Sequence, residues 1–263
     1  MANARILYNY DTWDAARSSG IAASSALSSA PVTNLLLDPL GKAWSPSGKT
    51  AEWVRLNLGT ATRLTCVCLA GGNWTSQATL FLEANSSDHW VTPAYYQQLS
   101  IAVDADGVPY RHLVLFLDQT YRYWRITWAD PANPADHLSL GRIIAGQYYE
   151  FTRNFARQAR ITWADPSAVE HKPGTIGNIP TTNQPAYRQV RASFPWRGTA
   201  EMAKWDAIYR KVGKSRPLVL ALDPVTAATR MSLYGYMVTD LEASWETYAR
   251  YDIATLVFEE KVY

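Results

Sequence analysis

Several groups of residues in this chain have types and spacings that could do chemistry. "VGKS" at Val212–Ser215 has the Gly-Lys-Ser ending of a phosphate-cradling loop, in which backbone amides and a lysine neutralise a polyphosphate. That loop also needs a glycine five positions before Gly213, where this chain has Ile208, and it runs from strand to helix, the reverse of the order read here. "VDADG" suggests a calcium loop, yet counting from Gly107 puts Ala102 at the first ligand position and Leu113 at the twelfth, so both end ligands are missing. It reads as a turn. Cys66 and Cys68 in "TCVCLA" point to one face of a strand, which is poor geometry for bridging each other, and they read as buried structural thiols. His89, His112, His137 and His171 form no paired metal motif, and no G-x-S-x-G nucleophile turn occurs. The expectation is therefore no catalytic residue, no metal and no cofactor, and a protein that is not an enzyme.

Aromatic residues in polar loops are the remaining candidates. "GGNWTSQ" carries Asn73 and Trp74, and "SSDHWVTPAYY" carries His89, Trp90 and Tyr95. A loop indole can stack on a sugar face while neighbouring amide, imidazole and phenol groups bond its hydroxyls. The same indole can also pack a neighbouring subunit or fold back onto its own domain.

The elements that must hold these loops are β-strands. The chain has 263 residues with 11 Trp, 16 Tyr and 6 Phe, an aromatic load that favours pleated, half-buried surfaces. Net charge is +2 with both signs scattered, which argues against sequence-specific nucleic-acid binding. The sequence shows no secretory leader and no apolar run of transmembrane length, so a soluble chain without membrane insertion is expected, folding in a reducing cytoplasm.

The heptapeptide "RITWADP" occurs at Arg125–Pro131 and again at Arg160–Pro166, but nothing in the flanks aligns and there is no third copy. Each copy reads as a strand stopped by Ala-Asp-Pro, because proline cannot donate to a ladder. The first copy closes a run of short strands, "EWVRLNLG", "TRLTCVCLAGGN", "ATLFLEAN", "RHLVLFLD" and "YRYWRITW", separated by turn clusters. The first strand alternates Trp53, Arg55 and Asn57 against Val54, Leu56 and Leu58, as a half-buried strand does. The predicted fold is mainly β. Residues 1–145 form an antiparallel β-sandwich (jelly roll). Residues 146–263 form a second β-sandwich with one packed α-helix at 199–212 and a long polar arm at 164–186. In the helix, Met202, Trp205, Ile208, Tyr209 and Val212 share one stripe, with Thr199 as N-cap and Gly213 as stop.

Two resemblances follow from particular residues. Asn34-Leu35-Leu36, Asp38, Trp44, Glu52-Trp53-Val54 and Leu58-Gly59, with "YRYWRITW" later, resemble the discoidin (coagulation factor 5/8 type C) group of galactose-binding-like jelly rolls. That resemblance implies sugar or lipid-headgroup binding by loops at one end. "GRIIAGQYYEFTRNF", "RGTAEMAKWDAIYRKVGKSRPLVLALDP" and the last two strands resemble distal tail or minor tail proteins of long-tailed bacteriophages. The second resemblance implies a structural part of a tail tip or baseplate, located in the virion and assembled in the host bacterial cytoplasm. Such a part would form a homo-oligomeric ring, hexamer or trimer, against tail tube, tape-measure and hub proteins. Lys172, Thr175, Ile176, Asn178 and Ile179 are then candidate assembly residues in the polar arm. The alternative reading is a carbohydrate-binding module or adhesin that recognises host surface glycans.

Overall fold

The computed structural model describes residues 2–15, 20–170, 179–180, 182 and 184–262. The chain is mainly β, its sheets are antiparallel, and it divides into two compact units. The first comprises 1–151 with 219–232, and the second 152–218 with 233–263.

The first unit contains β1 (Arg5–Leu7), α1 (Asp11–Ala15), β2 (Ile21–Ala23), β3 (Glu52–Ala70), β4 (Thr79–Asn85), β5 (Tyr95–Leu99), β6 (His112–Ala129), β7 (Arg142–Gly146) and β8 (Tyr149–Glu150). The strands predicted as "EWVRLNLG" and "TRLTCVCLAGGN" are one continuous β3. Likewise "RHLVLFLD" and "YRYWRITW" are one β6. The intervening residues form bulges rather than chain-reversing turns. Pairing resumes at Thr62↔Tyr121 after Asn57↔Tyr123, and Gly59 takes the left-handed φ of 78° that lets the strand bend there. Asn57 Oδ1 accepts from the Gly59 amide at 2.9 Å, and a two-pronged Arg63–Asp118 contact ties the strands just beyond the bulge.

The first half of β3 lies between β2 and the second half of β6, which continues to β4 and β5. The second half of β3 lies between the first half of β6 and β7. This is the β-sandwich the alternating pattern predicts. Val54 and Leu56 face its core with Trp124, Ile126 and Leu82. Buried Arg142 fastens the chain start to β7, donating to both Asp14 oxygens at 3.0 Å and lying 3.2 Å from Asp38. By chain order Val219–Ser232 belongs with the later block, yet it returns to the first unit. Its strand β13 (Leu218–Ala221) pairs with β1, a long-range contact that no local pattern announces.

The second unit contains β9 (Arg160–Ala164), β10 (Val169–Glu170), β11 (Ile179–Pro180), β12 (Tyr187–Gly198), α2 (Thr199–Val212), β14 (Ser232–Met237), β15 (Ala243–Thr247) and β16 (Arg250–Glu260). β16 pairs with β12, β14 and β15, β9 pairs with β12, and β10 pairs with β11. The helix spans the predicted residues, with Gly198 rather than Thr199 in the extended N-cap conformation. Trp205, Ile208 and Val212 are buried, and the Trp205 ring lies 4.7 Å from Phe194 of β12.

Buried Arg197 at the end of β12 donates to Glu201 in the first turn of α2 (2.8 Å) and to the carbonyls of Arg153 and Asn154 (2.8 Å each). Thr152 donates to the other Glu201 oxygen. Removing one partner leaves a buried charge uncompensated, so Glu201→Ala should cost about 3 kcal/mol. Arg210→Ala, which breaks an exposed pair with Asp206 in the same helix, should cost less than about 0.5 kcal/mol. Urea unfolding of the two variants checks the contrast.

Candidate functional site

The "GGNWTSQ" loop is folded inward, and of the fates open to its tryptophan the structure shows packing onto its own domain. Trp74 is 4% exposed, donates Nε1–H to the Tyr110 carbonyl at 2.7 Å, and sits edge-on to Trp128 with centroids 5.8 Å apart. Asn73 is spent inside as well. Its Nδ2 donates to the His137 carbonyl and its Oδ1 accepts from the Ser139 amide. Asp130, fully buried, accepts from the Thr75 amide and hydroxyl and from Asn133 Nδ2. The glycine doublet carries the physical reason. A Cβ on Gly72 would lie 1.9 Å from the Trp74 ring, so the indole is laid across the backbone that precedes it. A loop made this way has no aromatic face left for a sugar.

The other loop keeps its aromatic residues near solvent. His89 is exposed and Trp90 is half-buried, with the Arg125 guanidinium 4.6 Å from its ring centre. Trp90 Nε1–H donates to Asp88 at 2.7 Å, and Asp88 also accepts from Arg55. Tyr95, half-buried at the start of β5, donates to Gln97 and lies edge-on to buried Trp124. Burial at Asp88 favours its neutral form. Against that, hydrogen bonds from Trp90 and Arg55 and the charges of Arg55 and Arg125 hold its carboxyl below the usual range. The contribution of this contact to stability is therefore present above the ordinary aspartate pKa and fades only as pH falls through the lowered value.

These contacts lead to a surface formed by the outward residues of the strands. The ladder sets Trp53 and Phe81 on either side of Thr127, and Arg55 and Glu83 on either side of Arg125. Two arginines directly opposite would repel, but Glu83 takes Arg125 and Asp88 takes Arg55, leaving the charges internally matched. A groove of about 390 Å³ opens on this part of the sheet, lined among others by Thr50, Trp53, Thr79, Phe81, Arg125 and Thr127. It combines half-exposed ring faces with hydroxyls and a fixed guanidinium, a set that grips a ligand with an apolar face and hydroxyl edges. Strand alternation was the available signal for this groove, since Trp53, Phe81 and Arg125 all occupy outward positions. A second cleft of about 450 Å³ has an aliphatic floor of Val67, Leu69, Leu99 and Leu113 and offers no ring to stack on.

In the second unit the polar arm contributes little that can be located. Lys172, Thr175, Ile176 and Asn178 lie outside the described residues, and Ile179 opens β11, paired with Glu170. The sheet instead exposes large aromatics the loop reading passed over. Trp163 is 69% exposed, Trp196 50%, Trp245 71% and Tyr248 94%. Trp196 has a left-handed φ of 60°, held by its amide donating to Asp252 at 2.7 Å, and Arg250 lies 5.5 Å from its ring centre. Burial pushes both cysteine thiols up, which keeps them unreactive. No group of three or more His, Cys, Asp or Glu side chains suited to a metal occurs among the described residues.

No protein-family model matches the chain, and no curated protein matches it. Among solved structures it is similar to chitosan-binding module 1 of a chitosanase/glucanase from Paenibacillus sp. IK-5, at 17% identity over 48% of this chain and 93% of that one, with a TM-score of 0.36. It is similar to the lectin domain of lectinolysin complexed with Lewis B antigen, at 14% identity over 51% and 96%, TM-score 0.40. A fucose-binding module of Streptococcus pneumoniae matches at 9% identity over 50% and 92%, TM-score 0.38.

The different placement of the two loop tryptophans has a measurable consequence. Trp74→Ala removes a buried indole and should destabilise the protein by about 3–5 kcal/mol. Trp90→Ala, at a half-exposed ring, should cost about 1 kcal/mol or less. Thermal or urea unfolding of the two variants would separate them.

Proposed function

We propose that this is a glycan-binding protein rather than an enzyme, and that the sheet-face groove of the first unit takes a neutral sugar. The observation that carries this reading is the pair of half-exposed rings, Trp53 and Phe81, flanking Thr127 in an open groove beside Arg125. A pyranose presents C–H groups on one face and hydroxyls at its rim, matching rings below and hydroxyl and guanidinium groups alongside. Because Arg125 and Arg55 already have carboxylate partners, an added anionic sugar gains little, and neutral units are favoured. A glycan array probed with the full chain should give neutral-saccharide hits. In calorimetry Trp53→Ala and Phe81→Ala should each weaken binding about 10-fold, the worth of one aromatic contact. An array blank for every neutral glycan would end this reading.

The exposed Trp163, Trp196, Trp245 and Tyr248 favour a second reading that is compatible with the first. Aromatic residues exposed to this degree are what a subunit contact uses. They support a contact with another subunit, and together with the sequence resemblance to tail proteins we propose from them a structural component of a bacteriophage tail tip or baseplate, a ring between tail tube and hub. Antibody labelling of intact particles should mark the tail tip. Label confined to soluble protein, with none on particles, would remove this second reading.

A further inference from the structure

Two strands of the second unit each have one open side among the described residues: β9, an end strand of its sheet that pairs with β12, and β15, a short strand beside the first residues of β16. Both are five residues long, and both are exposed. An open edge presents unpaired backbone donors and acceptors and is a template for another strand.

Charge separates the three ways such edges can meet. β9 carries Arg160, with Arg157 just before it, whereas β15 carries Glu246, with Glu242 just before it, all exposed. Joining β9 to β9 sets arginine against arginine, and joining β15 to β15 sets glutamate against glutamate. Only β9 against β15 pairs opposite signs. The acid that follows β9, Asp165, already accepts from the Ser167 amide at 2.8 Å.

Direction and face agree with that choice. β9, β12, β16 and β15 are each antiparallel to the next, so a copy placed in the same orientation beyond β9 brings its β15 antiparallel to β9. The register puts Trp163 level with Arg188, two residues from Val190, which is buried opposite Phe258, and puts Trp245 level with Tyr251, two residues from buried Ile253. Both indoles therefore project from one face of the sheet and would lie side by side across the junction.

We infer that this chain self-associates head to tail through its second unit, the β9 edge of one copy pairing antiparallel with the β15 edge of the next, with Trp163 beside Trp245 and Arg160 beside Glu246. A heterologous contact of this kind repeats, closing into a ring when its rotation divides a circle. The neighbouring Asp252 carboxyl raises the pKa of Glu246, and an arginine from a neighbour would relieve that crowding of carboxylates. The inference rests on the second reading of function and gives it an interface. The glycan reading stands apart from it.

Sedimentation of the full chain across a concentration series tests this. The unaltered protein should associate, and more weakly as salt is raised. Arg160→Glu and Glu246→Arg should each weaken association about 10-fold. The two changes together should restore it, because the pair is then reversed across the same junction. Trp163→Ser should weaken association while leaving glycan-array hits unchanged. A chain that stays monomeric at the highest attainable concentration overturns the inference. So does association that ignores both charge reversals, or a double variant that stays as weak as the singles.

Discussion

The ladder between β3 and β6 is the constraint on which the first unit depends. Two strands of 19 and 18 residues stay paired from Glu52↔Trp128 to Ala70↔His112, passing through a bend instead of ending at one. Each strand thereby serves both halves of the sandwich, and each half borrows its register from the other. Because side chains alternate, a slip of one residue would exchange Val54, Leu56 and Ile126 for Trp53, Arg55 and Arg125 on the core side. The burial of the first set fixes the exposure of the second. The groove is a by-product of that choice, and its arginines tolerate facing one another because β4 and the loop after it deliver Glu83 and Asp88.

How far the sequence could be read is clearest where the same seven residues have two fates. In the first "RITWADP" the tryptophan, Trp128, is 2% exposed and the aspartate is the buried hub of the Thr75–Asn133 network. In the second, Trp163 is 69% exposed and Asp165 binds only the local Ser167 turn. Local pattern correctly announced a strand and its stop in both places, because proline and alternation act over a few residues. Burial depends on what lies across the sheet, and β6 has β3 and β4 on either side where β9 is an edge. The helix at 199–212 was legible for the complementary reason, a stripe and a C-terminal glycine being local signals that packing on Phe194 then confirms.

The positions where local pattern and fold diverge share one physical origin. Trp74 sits in a polar, glycine-rich stretch, which ordinarily means surface, but the glycines are there because an indole must cross the backbone at close range. Local pattern separates the two halves of β3 and of β6, although the residues between them, Gly59 among them, serve a bulge, and only the partner strand decides between a bulge and a strand end. Chain order places Val219–Ser232 with the later block because nothing in "LVLALDP" states that its partner is β1, more than two hundred residues earlier.

The division of tryptophans between the units therefore has functional content. In the first unit they are mostly sealed: Trp13, Trp44, Trp74, Trp124 and Trp128 are buried, and Trp53 and Trp90 are held at half exposure by strand position and by Arg125. That leaves a groove lined by Trp53 and Phe81 above a sealed core. In the second unit Trp205 packs the helix against β12, while Trp163, Trp196 and Trp245 stand exposed on its strands. Leaving indoles in water forgoes burial energy on the order of 2 kcal/mol each, a sizeable share of a domain's stability. Trp196 adds backbone strain to that cost through its left-handed conformation. Contact with a partner recovers burial energy that the isolated fold leaves unused. A unit that withholds large apolar side chains from its own core, two of them on strands with an open side and opposite charge, presents a surface that another molecule would complete.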